Sequence, residues 1–377
     1  MGAGTGDGVR GTVAAGWEPV REEFATFLAA AAQPPEAQLA VHHRGRRVVD
    51  LWAGEGTTAD TLTGLYSITK GAAHLVAALL IQDGVLNPDR QVVAYWPEFT
   101  GHGKERLTVR QLLSHRSGLI NTDEGFDYEE LADDALVAAR LAAQKPFWEP
   151  GEGYGYHAFV IGALTGEVVR RVTGRSLQAV FEERVRAPYG LDLYLGLPAG
   201  EEGRWKPVLE MVAPAGAPAG PPPPELLPIA FNMHRDPPMD LVAFANHPRV
   251  RELGPASAGG IGTARGVAGM YAAAISTVDG RAPLLTPQTA ADIAEPLAAG
   301  SDLVSPLPNT FGLGFQLLPE VGPQAFGHSG AAGGLGWADP ATGTAYGYTR
   351  RRFGFPGGAA AENRGLTAAV LKAAGAR

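Results

Sequence analysis

The sequence predicts an α+β fold in which an antiparallel sheet flanked by helices is joined to a second, mainly helical lobe. Two strand patterns, at residues 37–43 and 46–53, meet at Arg44-Gly45, which is a hairpin signal. A long apolar helix follows them, and strand patterns separated by glycines return in the last third of the chain. Both ends of the chain are therefore expected to share one sheet.

The expected division of the chain follows these changes of pattern. Residues 12–66 and 259–377 are assigned to the sheet-containing α/β lobe and residues 67–258 to the helical lobe, with the active site between the lobes. Residues 212–228 are rich in proline, alanine and glycine, and we interpret them as an ordered or semi-ordered excursion over the surface. The alternatives are an interdomain linker and a wall of the substrate cleft.

Helical patterns dominate the first half of the chain. Apolar residues at helical spacing predict an amphipathic helix over residues 18–32. Residues 72–81 are apolar on nearly every face and stop at Asp83-Gly84, which predicts a buried helix. Thr108 is placed to cap a short helix over residues 109–114.

The later elements follow from the same two periodicities. Helical spacing predicts helices over residues 131–143, 158–172, 177–185, 263–276, 286–294 and 361–374, the second of these closed by Gly174. Short patterns containing aromatic residues predict strands over residues 311–317, 324–328, 335–338 and 344–350.

Composition excludes several classes of function. At 377 residues with 45% hydrophobic side chains, the chain can bury a large core. Its formal net charge of -8 disfavours a nucleic-acid or anionic-membrane partner. Because it contains no cysteine, thiol catalysis and cysteine-ligated metals are excluded. The sequence shows neither a secretory signal pattern nor an apolar span of about 20 residues, so we expect a cytoplasmic protein.

A candidate nucleophile lies at the start of the buried helix. Ser67 and Lys70 are separated by two residues, a serine-lysine spacing that occurs once in the chain, and the first turn of a helix would place them on one face. A partly desolvated lysine can take the serine proton or stabilise the alkoxide. The Ser67 N–H would then face the carbonyl oxygen of a substrate. The alternative is a capping serine followed by a lysine whose stem covers apolar surface.

Two further places can complete this chemistry. Tyr156 precedes a predicted helix, and a lysine ammonium beside it would shift the phenol toward phenolate, a general base for the serine. At residues 327–331 small side chains allow the chain to approach a ligand, so the Ala331 N–H is a second candidate oxyanion donor. His328 would bind substrate or assist proton transfer. A half-buried tyrosine and a core histidine are the alternatives.

The three motifs, taken in order, resemble the signature of class C β-lactamases, penicillin-binding-protein-like serine hydrolases and family VIII carboxylesterases: Ser67-x-x-Lys70, Tyr156 and His328-Ser329-Gly330. The resemblance implies a β-lactamase/transpeptidase-like fold, a small-molecule acyl donor, and neither cofactor nor metal. By family position it adds further residues to the candidate substrate cleft: Ser329, Gly330, Tyr128, Trp148, Phe231 and Phe244.

Two departures from the family pattern separate its branches. Ala158 stands where the β-lactamases have the asparagine of the tyrosine motif, and His328 stands where their third motif begins with lysine. We therefore expect a serine esterase that acts on a small-molecule ester through an acyl-enzyme. The alternative is a transacylase that moves an acyl group from an ester or thioester to an amine or alcohol. A β-lactamase, a D-amino-acid peptidase and a non-catalytic binding homologue are expected less.

Overall fold

A computed structural model describes residues 8–31, 33, 35–214, 216, 222–306 and 308–375. Its strands are β1 (Arg10–Val13), β2 (Ala37–His43), β3 (Arg46–Ala53), β4 (Thr63–Gly64), β5 (Leu193–Tyr194), β6 (Ile261–Gly262), β7 (Gln316–Leu317), β8 (Phe326–Ser329), β9 (Leu335–Asp339) and β10 (Thr344–Arg350). Its helices are α1 (Glu18–Ala30), α2 (Thr69–Gln82), α3 (Val109–Leu113), α4 (Tyr128–Ala132), α5 (Asp134–Ala143), α6 (Ile161–Thr173), α7 (Leu177–Phe181), α8 (Ala187–Tyr189), α9 (Leu227–Ala230), α10 (Leu241–Asn246), α11 (Pro248–Leu253), α12 (Ala264–Ile275), α13 (Pro287–Ile293) and α14 (Glu362–Ala373).

The main sheet draws on both ends of the chain, as the sequence predicts. Its order is β1-β3-β2-β10-β9-β8-β7, and every pair of neighbours is antiparallel. The hairpin between β2 and β3 is confirmed, and both of its turn residues, Arg44 and Gly45, have positive φ as a type I′ turn requires. The α+β fold is therefore confirmed, while the division into lobes stays a prediction.

Alternation along β10 explains how helices cover both faces of this sheet. Tyr346 and Tyr348 point into a core shared with α1 and α14. Ala345 and Gly347 point the other way, where α12 lies so close that a Cβ at Gly347 would be 2.4 Å from the Ala264 carbonyl oxygen. Small residues on one face and large ones on the other thus set the two layers at different distances from the sheet.

Helix α2 lies at the centre of the molecule and is buried along almost its whole length, as its apolar sequence predicts. It packs against α6, α7 and β8. Gly71 allows a close approach to α12, because a Cβ there would lie 2.3 Å from the Tyr271 hydroxyl oxygen. This packing fixes the start of α2, where the motif residues lie.

Several predicted boundaries are wrong for local reasons. The helix expected over residues 131–143 is divided, because Asp133 has extended geometry and caps α5 through the N–H groups of Ala135 and Leu136. The helix expected from residue 158 begins at Ile161. The helix expected to end at residue 185 continues through a wider turn into α8 and ends there, because Gly190 after it has positive φ.

The shortest strands also differ from the predictions. Of residues 311–317 only Gln316–Leu317 joins the main sheet, because Phe311 pairs with Ala298 instead. Strand β1 and the small sheet β4-β6-β5 carry no periodic signal at their lengths. Of the proline-rich segment, residues 215 and 217–221 lie outside the described part. Within the described residues, no helix combines the length and apolar character needed to cross a membrane.

Candidate active site

Ser67 lies in a tight turn that leads into α2. The turn is a short 3-10 helix over Tyr66–Ile68, and Tyr66 has a φ of 49°, an uncommon value for a residue with a side chain. The Tyr66 hydroxyl donates a hydrogen bond to the Leu241 carbonyl oxygen at 2.9 Å, and the ring packs edge-on against Phe353. These contacts hold the turn in its strained geometry and leave the Ser67 side chain half-buried.

Lys70 is fully buried directly beneath Ser67. Its Nζ lies 2.9 Å from Ser67 Oγ, 2.6 Å from the Ala158 carbonyl oxygen and 2.9 Å from the Ser257 carbonyl oxygen. Burial lowers the pKa of Lys70 well below its ordinary value, because a charged ammonium loses its hydration there. A neutral amine has two protons for the two carbonyls and one lone pair, which then faces the serine hydroxyl.

Tyr156 approaches Ser67 from the other side. Its hydroxyl lies 2.7 Å from Ser67 Oγ, and its ring packs against the rings of His115 and Phe311. Burial raises the pKa of Tyr156 well above its ordinary value. This shift is opposite in direction to the expected phenolate, because burial disfavours the anion.

Ser67 Oγ lies within hydrogen-bond distance of both neighbours. The Tyr156 O–H donates to Ser67 Oγ, and Lys70 Nζ donates to Ser67 Oγ and to the carbonyl oxygens of Ala158 and Ser257. An amine that has lost one proton has a lone pair that can accept the serine proton instead. The geometry thus places a group that can act as a base beside the serine oxygen.

Two backbone N–H groups near this serine are free to bind a ligand. Within the described residues, the N–H groups of Ser67 and Ala331 donate to no backbone or side-chain acceptor. The flanking backbone is held on both sides, because the Gly330 N–H donates to the Gly334 carbonyl and the Ala331 carbonyl accepts from the Gly358 N–H. Unpaired donors of this kind are the usual components of an oxyanion hole.

A cavity of about 330 Å³ opens beside Ser67. Its lining is mostly apolar and, among the residues that the structure describes, includes no lysine or arginine and one acidic residue, Glu320. The lining residues are Ser67, Tyr156, Leu227, Phe231, Ser305, Pro306, Asn309, Phe311, Gln316, Leu318, Glu320, His328, Ser329, Ala331, Leu335, Gly357, Gly358 and Ala359. Leu227 brings the end of the proline-rich segment to this cavity.

A family profile described as Beta-lactamase matches residues 20–371. The chain belongs to the β-lactamase family. The chain is 30% identical over 341 residues to Esterase/beta-lactamase LipL of Mycobacterium tuberculosis. The aligned region covers 83% of this chain and 76% of that protein.

Solved structures extend the similarity of this β-lactamase-family protein to the whole fold. EstA from Arthrobacter nitroguajacolicus superposes with a TM-score of 0.88 at 39% identity, covering 97% of this chain and 98% of that one. A crystal structure of a family VIII carboxylesterase gives a TM-score of 0.87 at 32% identity, covering 97% and 99% of the two chains. The β-lactamase/transpeptidase-like fold is confirmed.

Three of the four aromatic residues predicted in the cleft do not line the cavity of this β-lactamase-family protein. Tyr128 stacks on His247 at the surface of α4. Trp148 packs edge-on against His157. Phe244 is 1% exposed within the core. The rings of Tyr128 and Trp148 pack against other elements instead. Phe231 does line the cavity, as expected.

His328 is placed at the cavity, but as a neutral group. Its Nδ1 lies 2.8 Å from the Ser329 carbonyl oxygen, to which an Nδ1–H donates, so Nε2 carries the lone pair. Burial lowers the pKa of His328 well below its ordinary value. The residue that replaces the family lysine therefore provides no positive charge. Of its motif, Ser329 also lines the cavity, whereas Gly330 does not.

A second contact between a serine and a base, Ser117 with His157, is not predicted by the sequence. Ser117 Oγ lies 2.6 Å from His157 Nε2, and both side chains are fully buried. Ser117 falls in the stretch interpreted as a structural turn, and no spacing rule joins it to a histidine 40 positions away. Also missed are Asn309 and Gln316, which line the cavity, and Asp302, whose carboxylate accepts a hydrogen bond from Asn309; the sequence around these three residues contains no motif.

Proposed function

We propose that this chain is a serine esterase that hydrolyses small uncharged esters through an acyl-enzyme on Ser67. The observation that carries the proposal is the contact of Ser67 Oγ with Lys70 Nζ at 2.9 Å and with the Tyr156 hydroxyl at 2.7 Å, at the edge of a cavity. The similarity to esterases supports the same reaction class.

The proposed acylation step begins when Ser67 Oγ attacks the ester carbonyl carbon and its proton passes to the neutral Lys70 amine. The negative charge that develops on the carbonyl oxygen is stabilised by the N–H groups of Ser67 and Ala331. The C–O bond to the leaving group then breaks. Tyr156 gives its proton to the leaving alkoxide and is reprotonated from Lys70, so the protons balance.

Deacylation repeats these steps with a second nucleophile. Water enters where the alcohol left, loses its proton to the same base, and attacks the ester carbon of the acylated Ser67. The oxyanion returns to the same two N–H groups, and collapse releases the acid and regenerates the serine hydroxyl. An alcohol or amine in the place of water would give transfer, which needs no other residue.

The charge of the cavity favours uncharged substrates. A β-lactam carries a carboxylate, and the lining contains Glu320 and a neutral His328 but no lysine or arginine to hold it. Burying an unpaired carboxylate is costly. Esters with apolar acyl groups instead match the lining around Leu227 and Phe231.

Chemical labelling tests the nucleophile. A fluorophosphonate should form an adduct on the peptide that contains Ser67, the adduct should be absent from Ser67→Ala, and Ser117→Ala should label as the unchanged protein does. Tyr156→Phe should label more slowly, because the phenol no longer assists. An adduct on another residue in the unchanged protein would contradict the proposed site.

Substrate competition tests the specificity. With p-nitrophenyl butyrate and nitrocefin as substrates, kcat/KM should be higher for the ester by roughly 100-fold or more, because the cavity lacks a partner for a carboxylate. Products formed with added alcohol or amine should be mainly the free acid. Equal turnover of nitrocefin would exclude the uncharged-ester specificity, and a dominant transfer product would replace esterase by transacylase.

A further inference from the structure

A chain of hydrogen bonds runs along one wall of the cavity and joins the Tyr156 segment to β8. Asp302 Oδ1 accepts from the Tyr156 backbone N–H at 3.1 Å, and Asp302 Oδ2 accepts from Asn309 Nδ2 at 3.2 Å. Asn309 Oδ1 accepts from Gln316 Nε2 at 3.3 Å. Gln316 Oε1 in turn accepts from the Ser329 backbone N–H at 3.2 Å.

The two ends of this chain fix its direction. The Asp302 carboxylate can only accept hydrogen bonds, and the Ser329 backbone N–H can only donate. Asn309 must therefore present its NH₂ to Asp302, and Gln316 must present its oxygen to Ser329. Turning over either side-chain amide would place like groups against each other at one of the joints. The orientation of both amides follows from their partners.

The same carboxylate also shapes the loop that contributes to the cavity wall. Asp302 Oδ1 accepts from the N–H groups of Val304 and Ser305 at 2.8 and 2.9 Å. The Tyr154 hydroxyl lies 2.9 Å from the Asn309 carbonyl oxygen, which ties the far end of the loop to the segment before Tyr156. Asp302 thus holds both ends of one wall.

We propose that Asp302, Asn309 and Gln316 are positioning residues whose directed chain holds Tyr156 and the Ala331 N–H at the spacing that acyl transfer requires. The Tyr156 backbone N–H is the donor at one end of this chain of hydrogen bonds. The Ser329 N–H is the donor at the other end, and Ala331 lies two residues beyond Ser329. The inference rests on the proposed function, because the roles of Tyr156 and Ala331 are assigned there.

The charge of Asp302 has a second effect on Tyr156. Burial raises the pKa of the phenol, and the nearby carboxylate raises it further because a second negative charge is disfavoured. Asp302 thus supports the protonated phenol that the leaving group requires, in addition to holding its backbone.

An amide exchange tests the direction of the chain. In Asp302→Asn the oxygen can still accept the three backbone N–H groups, but an NH₂ now faces the NH₂ of Asn309. We expect kcat for p-nitrophenyl butyrate to fall by about 10- to 100-fold, because small misplacements of catalytic groups have large effects. KM should change by less than about 3-fold.

The double variant Asp302→Asn with Asn309→Asp restores a matched chain, because the carboxylate introduced at position 309 would accept from both the amide introduced at position 302 and Gln316. It should recover kcat to within roughly 3-fold of the unchanged protein and recover the unfolding temperature lost in Asp302→Asn. Asp133→Asn is the matched control: Asp133 also accepts backbone N–H groups, but these belong to Ala135 and Leu136, which do not line the cavity, so kcat should change by less than about 2-fold.

The outcomes separate this inference from the proposed function. If the double variant is no better than Asp302→Asn in kcat and unfolding temperature, the directed chain is excluded even though the esterase activity stands. If the unchanged protein hydrolyses no ester, the proposed function fails and the unfolding temperatures alone decide: recovery in the double variant supports the chain, and no recovery excludes it.

Discussion

Ser67 and Ser117 make similar contacts in two parts of the molecule. Ser67 Oγ lies 2.9 Å from Lys70 Nζ, and Ser117 Oγ lies 2.6 Å from His157 Nε2. Ser67 lines the cavity, whereas Ser117 is fully buried and also accepts the Leu119 N–H at 3.1 Å. The difference shows that a short contact between a serine and a base indicates a nucleophile only where a substrate can reach the oxygen.

Protonation does not separate the two serines. The Nδ1–H of His157 donates to the Gly155 carbonyl oxygen at 2.6 Å, so Nε2 is free to accept the Ser117 proton. Burial lowers the pKa of His157 to about 4, and the imidazole is neutral at pH 7. Ser117 therefore has a base in the correct state, and its contact joins the turn before Leu119 to the segment that carries Tyr156.

Removing each hydroxyl should give the largest difference between the two serines. Ser67→Ala should lower kcat for p-nitrophenyl butyrate by about 10⁴-fold or more, because the nucleophile is lost. Ser117→Ala should keep kcat within about 10-fold but lower the free energy of unfolding by about 1–3 kcal/mol, because His157 and the Leu119 N–H lose their partner. An inactive but fully folded Ser117→Ala protein would contradict the conclusion that the Ser117 contact serves stability rather than catalysis.

The pH dependence of activity should report the base beside Ser67. The proposed mechanism requires the neutral Lys70 amine, so kcat/KM should fall about tenfold per unit as the pH drops through the pKa of this residue. Because burial lowers that pKa from 10.5, the plateau should begin well below pH 10.5 and continue into alkaline solution, since Tyr156 stays protonated. Steady-state kinetics across this range provide the measurement, with Ser117→Ala as the control of identical profile. If kcat/KM already falls when the pH drops through 10.5, the pKa of Lys70 is not lowered and the proposed base is contradicted.

The pH dependence of stability should report the other base. The pKa of His157 is about 4 in the folded chain and 6.5 as its ordinary value, so between these values only the unfolded chain binds the proton. The free energy of unfolding should therefore fall as the pH drops from about 6.5 to about 4, with up to ~3 kcal/mol from His157.

Other buried histidines add to the same loss, including His74, whose pKa burial lowers to about 3. His157→Gln should therefore reduce the loss rather than abolish it. Urea unfolding at several pH values measures the slope. A slope unchanged by His157→Gln would show that His157 does not carry this dependence.

Spacing indicates the pair Ser67 and Lys70, and the family resemblance adds Tyr156, but neither could assign the protons of these residues. The state of Lys70 depends on the carbonyls of Ala158 and Ser257, which are 88 and 187 positions away and become its neighbours only in the fold. Sequence patterns report which residue types are available. The burial that neutralises an amine comes from packing.

The directions in which side chains point also could not be predicted from the sequence. Tyr128 and Trp148 are expected in the cleft, but their rings pack against His247 and His157 instead. Asp302 and Asn309 lie in the connection between α13 and β7, and Gln316 lies in a two-residue strand, where no periodic pattern exists. Their relation depends on which way an amide faces, and this is set by partners distant in the chain.

Gly71 limits how this enzyme fold can be redesigned. Because even a methyl group at this position would lie 2.3 Å from the Tyr271 hydroxyl oxygen, the residue beside Lys70 tolerates no enlargement without moving α2. A library intended to accept bulkier acyl groups should keep position 71 unchanged. It should diversify Leu227 and Phe231, where the lining is only half-buried and replacement does not disturb the helix that carries the lysine.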